Sequence, residues 1–233
     1  MTNTDQPGRI TGPLKTWYDL HEALDHEVTG IAEDAEALTL DRLDAFATRF
    51  WAFDRELRAH SEVEDGIMFP AIAERGGSIE ADLGQEHRDE QLAVYAVGAA
   101  LLAANATRAA DALTELVGLT ADMRDSLKAH LEHEEATALT QVDGLFSTDE
   151  QSALFRTIIS SLPADPQLQP WVTSALSPDH LELRLRNIAS AMPAPALAAL
   201  MAQIHDGVDA ATWSVVESRT PDLASLVDRP SAS

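Results

Sequence analysis

The sequence predicts an all-α fold: an up-down-up-down four-helix bundle with a C-terminal helical extension packed on it. Apolar residues recur at intervals of three and four, not two, over most of the chain. Hydrophobic residues make up 45% of the 233, Ala and Leu foremost, with only 5% aromatic; this supply suits helix packing and is poor for a β-sandwich. Four long periodic stretches are separated by short breaks, so antiparallel neighbours are the economical arrangement.

The first helix is expected from Pro13 to about Leu38, with Leu14, Trp17, Tyr18, His21, Leu24, Val28, Ile31, Ala35 and Leu38 in its stripe. The second starts near Asp41 and carries Leu43, Phe46, Phe50, Phe53, Leu57, His60, Glu64, Ile67 and Met68 before Pro70, and ERGGS (74–78) is a clear break. A third runs from about Ile79 to Asn105, with Leu83, His87, Val94, Leu101 and Leu102 near one face. The fourth runs from about Arg108 to Val142 through Leu116, Met123, Leu127, His130, Leu131, Glu134 and Ala138. Trp17, Trp51, Tyr18 and Tyr95 read as core residues, and Gly84 and Gly98 as points of close helix packing. Residues 1–147 are thus assigned to the bundle.

After Gly144 the texture changes. Thr148 with Gln151 reads as a helix-start capping pair. PADPQLQP (163–170) interrupts, and Ser177-Pro178 and Met192-Pro193 open two further short helices. Residues 148–233 form the expected extension, anchored by Trp171 and Trp213, with a disordered tail from about 224.

Sixteen basic against 39 acidic residues leave a net charge of −23. Such a surface repels nucleic acid and anionic lipid, so neither is an expected partner. The chain has no cysteine, which removes disulfides, thiolate metal sites and thiol catalysis. No apolar signal core and no 18-residue apolar run is present, so the expected location is the cytoplasm and no membrane span is expected.

His60-x-x-x-Glu64 and His130-x-x-x-Glu134 are two copies of one motif. Residues four apart on a helix lie about 40° apart around the axis and about 6 Å apart along it. Each copy therefore aims an imidazole and a carboxylate toward a common point, and two copies offer the donors of a dinuclear iron or manganese site. His21 and His87 fall in the apolar stripes of the other two helices. Burying six polar groups without partners would cost roughly 1–3 kcal/mol for each neutral one and more for each charge. A single metal site on the bundle axis satisfies His21, His60, Glu64, His87, His130 and Glu134 together. His26 and His133 fall off their stripes and read as solvated surface residues, and His180 and His205 belong to no such motif.

The order of these motifs, with EDGIMFPAI after the first pair and HEE in the second, resembles the hemerythrin/HHE cation-binding family over roughly residues 14–146. TDEQSALFRTIISSLP and PWVTSALSPDH further resemble the C-terminal part of plant BRUTUS-type hemerythrin-like modules. The resemblance implies two iron ions bridged by Glu64, Glu134 and an oxo or hydroxo group, with His21 and His60 on one iron and His87 and His130 on the other. Manganese or zinc suits the same donors. The chain departs from the oxygen-carrying members, which have a second histidine four residues from the first on the third helix. Here those positions are Leu83 and Gln91, so one coordination position is open, and water or Glu90 is a candidate to fill it. The implied function is binding of dioxygen, peroxide or nitric oxide in an oxygen- or iron-sensing or stress role. The alternatives are a di-iron oxidase or peroxidase, and a metal-dependent regulatory module with a protein partner on the extension. Whether the chain is an enzyme stays open at this point.

Overall fold

The structure, a computed structural model, describes residues 10–80, 82–161 and 167–227. Its regular elements are all helical, with no strand among the described residues. In chain order they are α1 (Thr16–Glu36), α2 (Leu43–Val63), α3 (Phe69–Glu74), α4 (Leu83–Thr107), α5 (Ala110–Ala136), α6 (Val142–Leu145), α7 (Thr148–Ser161), α8 (Leu168–Ala175), α9 (Pro178–Ala191), α10 (Ala194–Gly207), α11 (Ala210–Arg219) and α12 (Pro221–Ala224). No helix among the described residues is long and apolar enough to cross a membrane.

The chain divides into two compact units, 24–145 and a second made of 1–23 with 146–233, and the division falls within the continuous helix α1. In the first unit, Leu24, Val28, Ile31, Phe50, Phe53, Ile72, Leu116, Met123 and Leu127 lose all or nearly all solvent contact. Each contributes about 1.5–3 kcal/mol of burial. α4 and α5 pack together most extensively, joined by the two residues Arg108 and Ala109. Arg108 makes that turn with φ of 51°. On α4, Gly98 leaves room for the Trp51 ring, which a Cβ there would meet at 2.6 Å. Trp51 is nevertheless 42% exposed, and Tyr95 (55%) and Leu102 (64%) face solvent. The expectation that both aromatics are core residues is therefore corrected: they lie at the edge of the α2–α4 contact, where the Arg58 guanidinium covers Tyr95 at 6.0 Å.

Three helix boundaries differ from the sequence reading. The second helix does not stop at Pro70. Residues Glu64–Met68 form a π-helical turn that leads directly into α3. Pro70 has no N–H, and in an α-helix its ring would press on the Gly66 carbonyl. The wider turn avoids this, with Phe69 N–H donating to the Glu64 carbonyl. The third helix begins at Leu83, and ahead of it Ser78 is held by Gln141, which accepts from its N–H at 2.8 Å and donates to its carbonyl at 2.7 Å. α5 ends at Ala136, where Thr137 Oγ1 donates to the His133 carbonyl at 2.7 Å and competes with the backbone ladder.

In the second unit, the cap of α7 is the pair Ser147–Glu150, one residue before the expected Thr148–Gln151 pair: Ser147 N–H donates to Glu150 at 2.8 Å and Glu150 N–H to Ser147 Oγ at 3.4 Å. Ser177 caps α9 with Pro178 at its first position, and Asp209 caps α11. Leu181, Leu185, Met201, Ile204 and Val216 form the core of this unit, with Trp171 and Trp213 partly buried against it as expected. Residue 162 and residues 163–166 of the proline-rich interruption lie outside the described residues. So do the first nine residues and, of the predicted tail, residues 228–233.

Candidate metal centre

His21 sits in the second turn of α1 and His60 in the last turn of α2, while His87 lies in the second turn of α4 and His130 in the penultimate turn of α5. Alternating helix direction thus carries His60, His87 and His130 to one end of the unit 24–145. All six predicted donors are buried, Glu64 and Glu134 completely.

The structure gathers the five donors of the unit 24–145 into two groups. Ligand atoms of His60, Glu64 and Glu134 lie within 4.8 Å of one another, as do those of Glu64, His87 and His130. Glu64, at the first position of the π-helical turn, belongs to both. Its two oxygens face different imidazoles: Oε1 is 3.1 Å from His60 Nε2, and Oε2 is 3.2 Å from His87 Nε2.

Two carboxylates that the sequence reading did not single out orient the imidazoles. Asp65 accepts from His87 Nδ1 at 3.0 Å, and Glu86 accepts from His130 Nδ1 at 2.8 Å. Since a carboxylate only accepts, each Nδ1 carries the proton and each Nε2 is turned toward the cluster. His130 Nε2 is buried with no hydrogen-bond partner among the described residues, as suits a nitrogen meant for a cation. Neither Asp65 nor Glu86 stands out in sequence, since each is one acid among 39 beside a ligand candidate.

Burial pulls the His87 imidazole down, but the hydrogen bond and charge of Glu64, aided by Asp65 and Glu90, overcome it and push the pKa up to about 9. Burial dominates at His130 and lowers it. Glu90 is pushed up to about 9 by burial, opposed by His87 and reinforced by Glu64, Glu86 and Glu134. At Glu86 the hydrogen bonds from His130 and His133 outweigh burial and lower its pKa.

His133 corrects an expectation. It is half-buried, not a solvated surface residue, and shares Glu86 with His130 through Nδ1 at 3.0 Å. Three residues on from His130, it lies close enough on α5 for both rings to reach one carboxylate. With Glu80 and Asp82 it forms a further group of potential ligands, mostly exposed. His26 is exposed as expected, His180 pairs with Glu22, and His205 contacts Asp206 and the edge of Trp213.

At the open position, Leu83 is fully buried and Gln91 half-buried. Gln91 lines a cavity of about 450 Å³ between the α2 and α4 segments that also reaches Leu57, Gly66, His87 and Glu90.

Buried imidazoles and carboxylates gathered in one unit of helices define a metal-binding helical protein. A family model, the hemerythrin HHE cation binding domain, matches residues 12–142, and the chain belongs to that family. It is also similar to the zinc finger protein BRUTUS of Arabidopsis thaliana, with 24% identity over 186 residues, covering 77% of this chain and 15% of that much longer protein. No solved structure matches the chain significantly.

Proposed function

We propose that this protein holds two iron ions and binds dioxygen, peroxide or nitric oxide at them, in an oxygen- or iron-sensing or stress role. The observation that carries the reading is Glu64, one carboxylate with its two oxygens directed at two separate groups of ligands. In this reading Glu64 and Glu134 bridge the ions, His21 and His60 hold one, and His87 and His130 hold the other. Iron bound there supplies redox chemistry and affinity for small oxygen- and nitrogen-containing ligands. The chain's own residues hold the donors in place: Asp65 and Glu86 keep His87 and His130 in the Nδ1–H tautomer. Manganese and zinc fit the same donors.

The cavity favours a second reading, a di-iron oxidase or peroxidase. At about 450 Å³ it exceeds what a diatomic needs, and its lining includes His87, so it has room for a small organic reductant beside the second ion.

Metal analysis of protein purified without added metal, with visible spectra under nitrogen, air and peroxide, tests both. Two irons per chain and a reversible spectral change support ligand binding. Turnover of peroxide with a reductant supports the enzyme, and absence of bound metal after reconstitution with ferrous iron would sink both.

A further inference from the structure

Glu90 is 3% exposed, and neither of its carboxylate oxygens receives a hydrogen bond among the described residues. The nearest ion-pair partner recorded for it is His130 Nδ1 at 3.9 Å, a nitrogen that already donates to Glu86 at 2.8 Å. The charges acting on it include three carboxylates, Glu64, Glu86 and Glu134, with His87 opposing them. An ionised carboxylate so placed is strongly unfavourable unless it keeps its proton or a cation takes the proton's place. Three residues after His87 on α4, it shares that histidine's side of the helix. Both also line the cavity at the position where Gln91 supplies no imidazole.

We propose that Glu90 is a seventh protein ligand, binding the metal held by Glu64, His87 and His130 from the cavity side. This rests on the dinuclear reading above. Glu90 replaces a neutral nitrogen by an anionic oxygen, which stabilises the more highly charged state of a bound iron and works against reversible dioxygen carriage. It also places an exchangeable ligand between the metal and the cavity, where an incoming molecule would displace it.

The test uses the metal-free full chain titrated anaerobically with ferrous iron against a chromophoric chelator, for wild type, Glu90→Gln and Glu62→Gln. Glu62 lines the same cavity but is exposed, so its variant removes an equal charge without removing a ligand. Wild type and Glu62→Gln are expected to bind two ions with similar affinity. Glu90→Gln should bind one ion normally and the other about tenfold or more weakly, while its metal-free form melts no lower than wild type. Equal affinities in Glu90→Gln and wild type overturn the assignment, as does equal weakening in both variants. A lower metal-free melting temperature in Glu90→Gln would mark a structural role and overturn it too. Should wild type bind no iron, the dinuclear reading fails and Glu90 with it; two ions bound equally by wild type and Glu90→Gln remove Glu90 alone.

Discussion

Asp19 and Arg184, both buried in the unit formed by 1–23 and 146–233, meet at 3.5 Å, and Arg184 also donates to Gln169 at 3.1 Å. In the unit 24–145, Glu90 and His130 Nε2 are equally buried, yet no hydrogen bond among the described residues reaches them. Burial pushes Asp19 up only to about 6, because the guanidinium opposes it, whereas it pushes Glu90 to about 9. One region satisfies its buried charges with its own side chains. The other leaves Glu90 and His130 Nε2 without such a partner, and that difference separates a structural ion pair from a candidate binding site.

The strongest test of the contrast is metal removal. Glu64→Ala should lose both ions, since Glu64 belongs to both ligand groups, and should melt where chelated wild type melts. The stabilisation lost is about 4 kcal/mol when free metal is a thousand times its dissociation constant; a chelated wild type that melts unchanged would count against a buried site. Arg184→Met should lower stability by about 3 kcal/mol, because it leaves Asp19 buried without its partner, yet retain two ions by metal analysis. His26→Ala should alter neither quantity. Asp65→Asn and Glu86→Gln should fold normally and bind metal roughly 10–100-fold more weakly, as read by chelator competition; unchanged affinity would show that the imidazoles need no such partner.

The smallest expected effect is on pH dependence. Glu90 and His87 both have folded pKa values raised above their ordinary ones, to about 9. Their contribution to the metal-free protein is therefore complete below the ordinary values and is lost as pH rises toward 9. Asp19, also raised, loses its contribution earlier, as pH rises through about 6. Denaturant titrations should show stability of the metal-free protein falling between about pH 5 and pH 9. Bound metal should remove the part due to Glu90 and His87 and leave the part due to Asp19. An identical slope with and without metal would place those groups away from the ions.

Helical class and the burial of six donors were legible in sequence because both follow from one periodicity. Spacing of three and four sets the apolar stripe, and a polar residue inside that stripe, such as His21 or His87, is committed to the interior whatever the neighbouring helices do. His133 was misread because its role depends on Glu86, a partner 47 residues away on another helix, and no stripe records that. Trp51 and Tyr95 were misread because a stripe says which side of a helix is apolar, not how wide the covered zone is.

The sequence by itself thus determined the class of fold, the imidazole and carboxylate chemistry, and the absence of a histidine at positions 83 and 91. Only the tertiary structure decided that Glu64 sits on a π-helical turn facing two groups at once, that Asp65 and Glu86 orient the imidazoles, and that a cavity reaches Glu90. The physical reason is range. Periodicity acts within one helix, whereas the partner of a buried charge, or its lack of one, is set by what other helices bring to the same few ångströms.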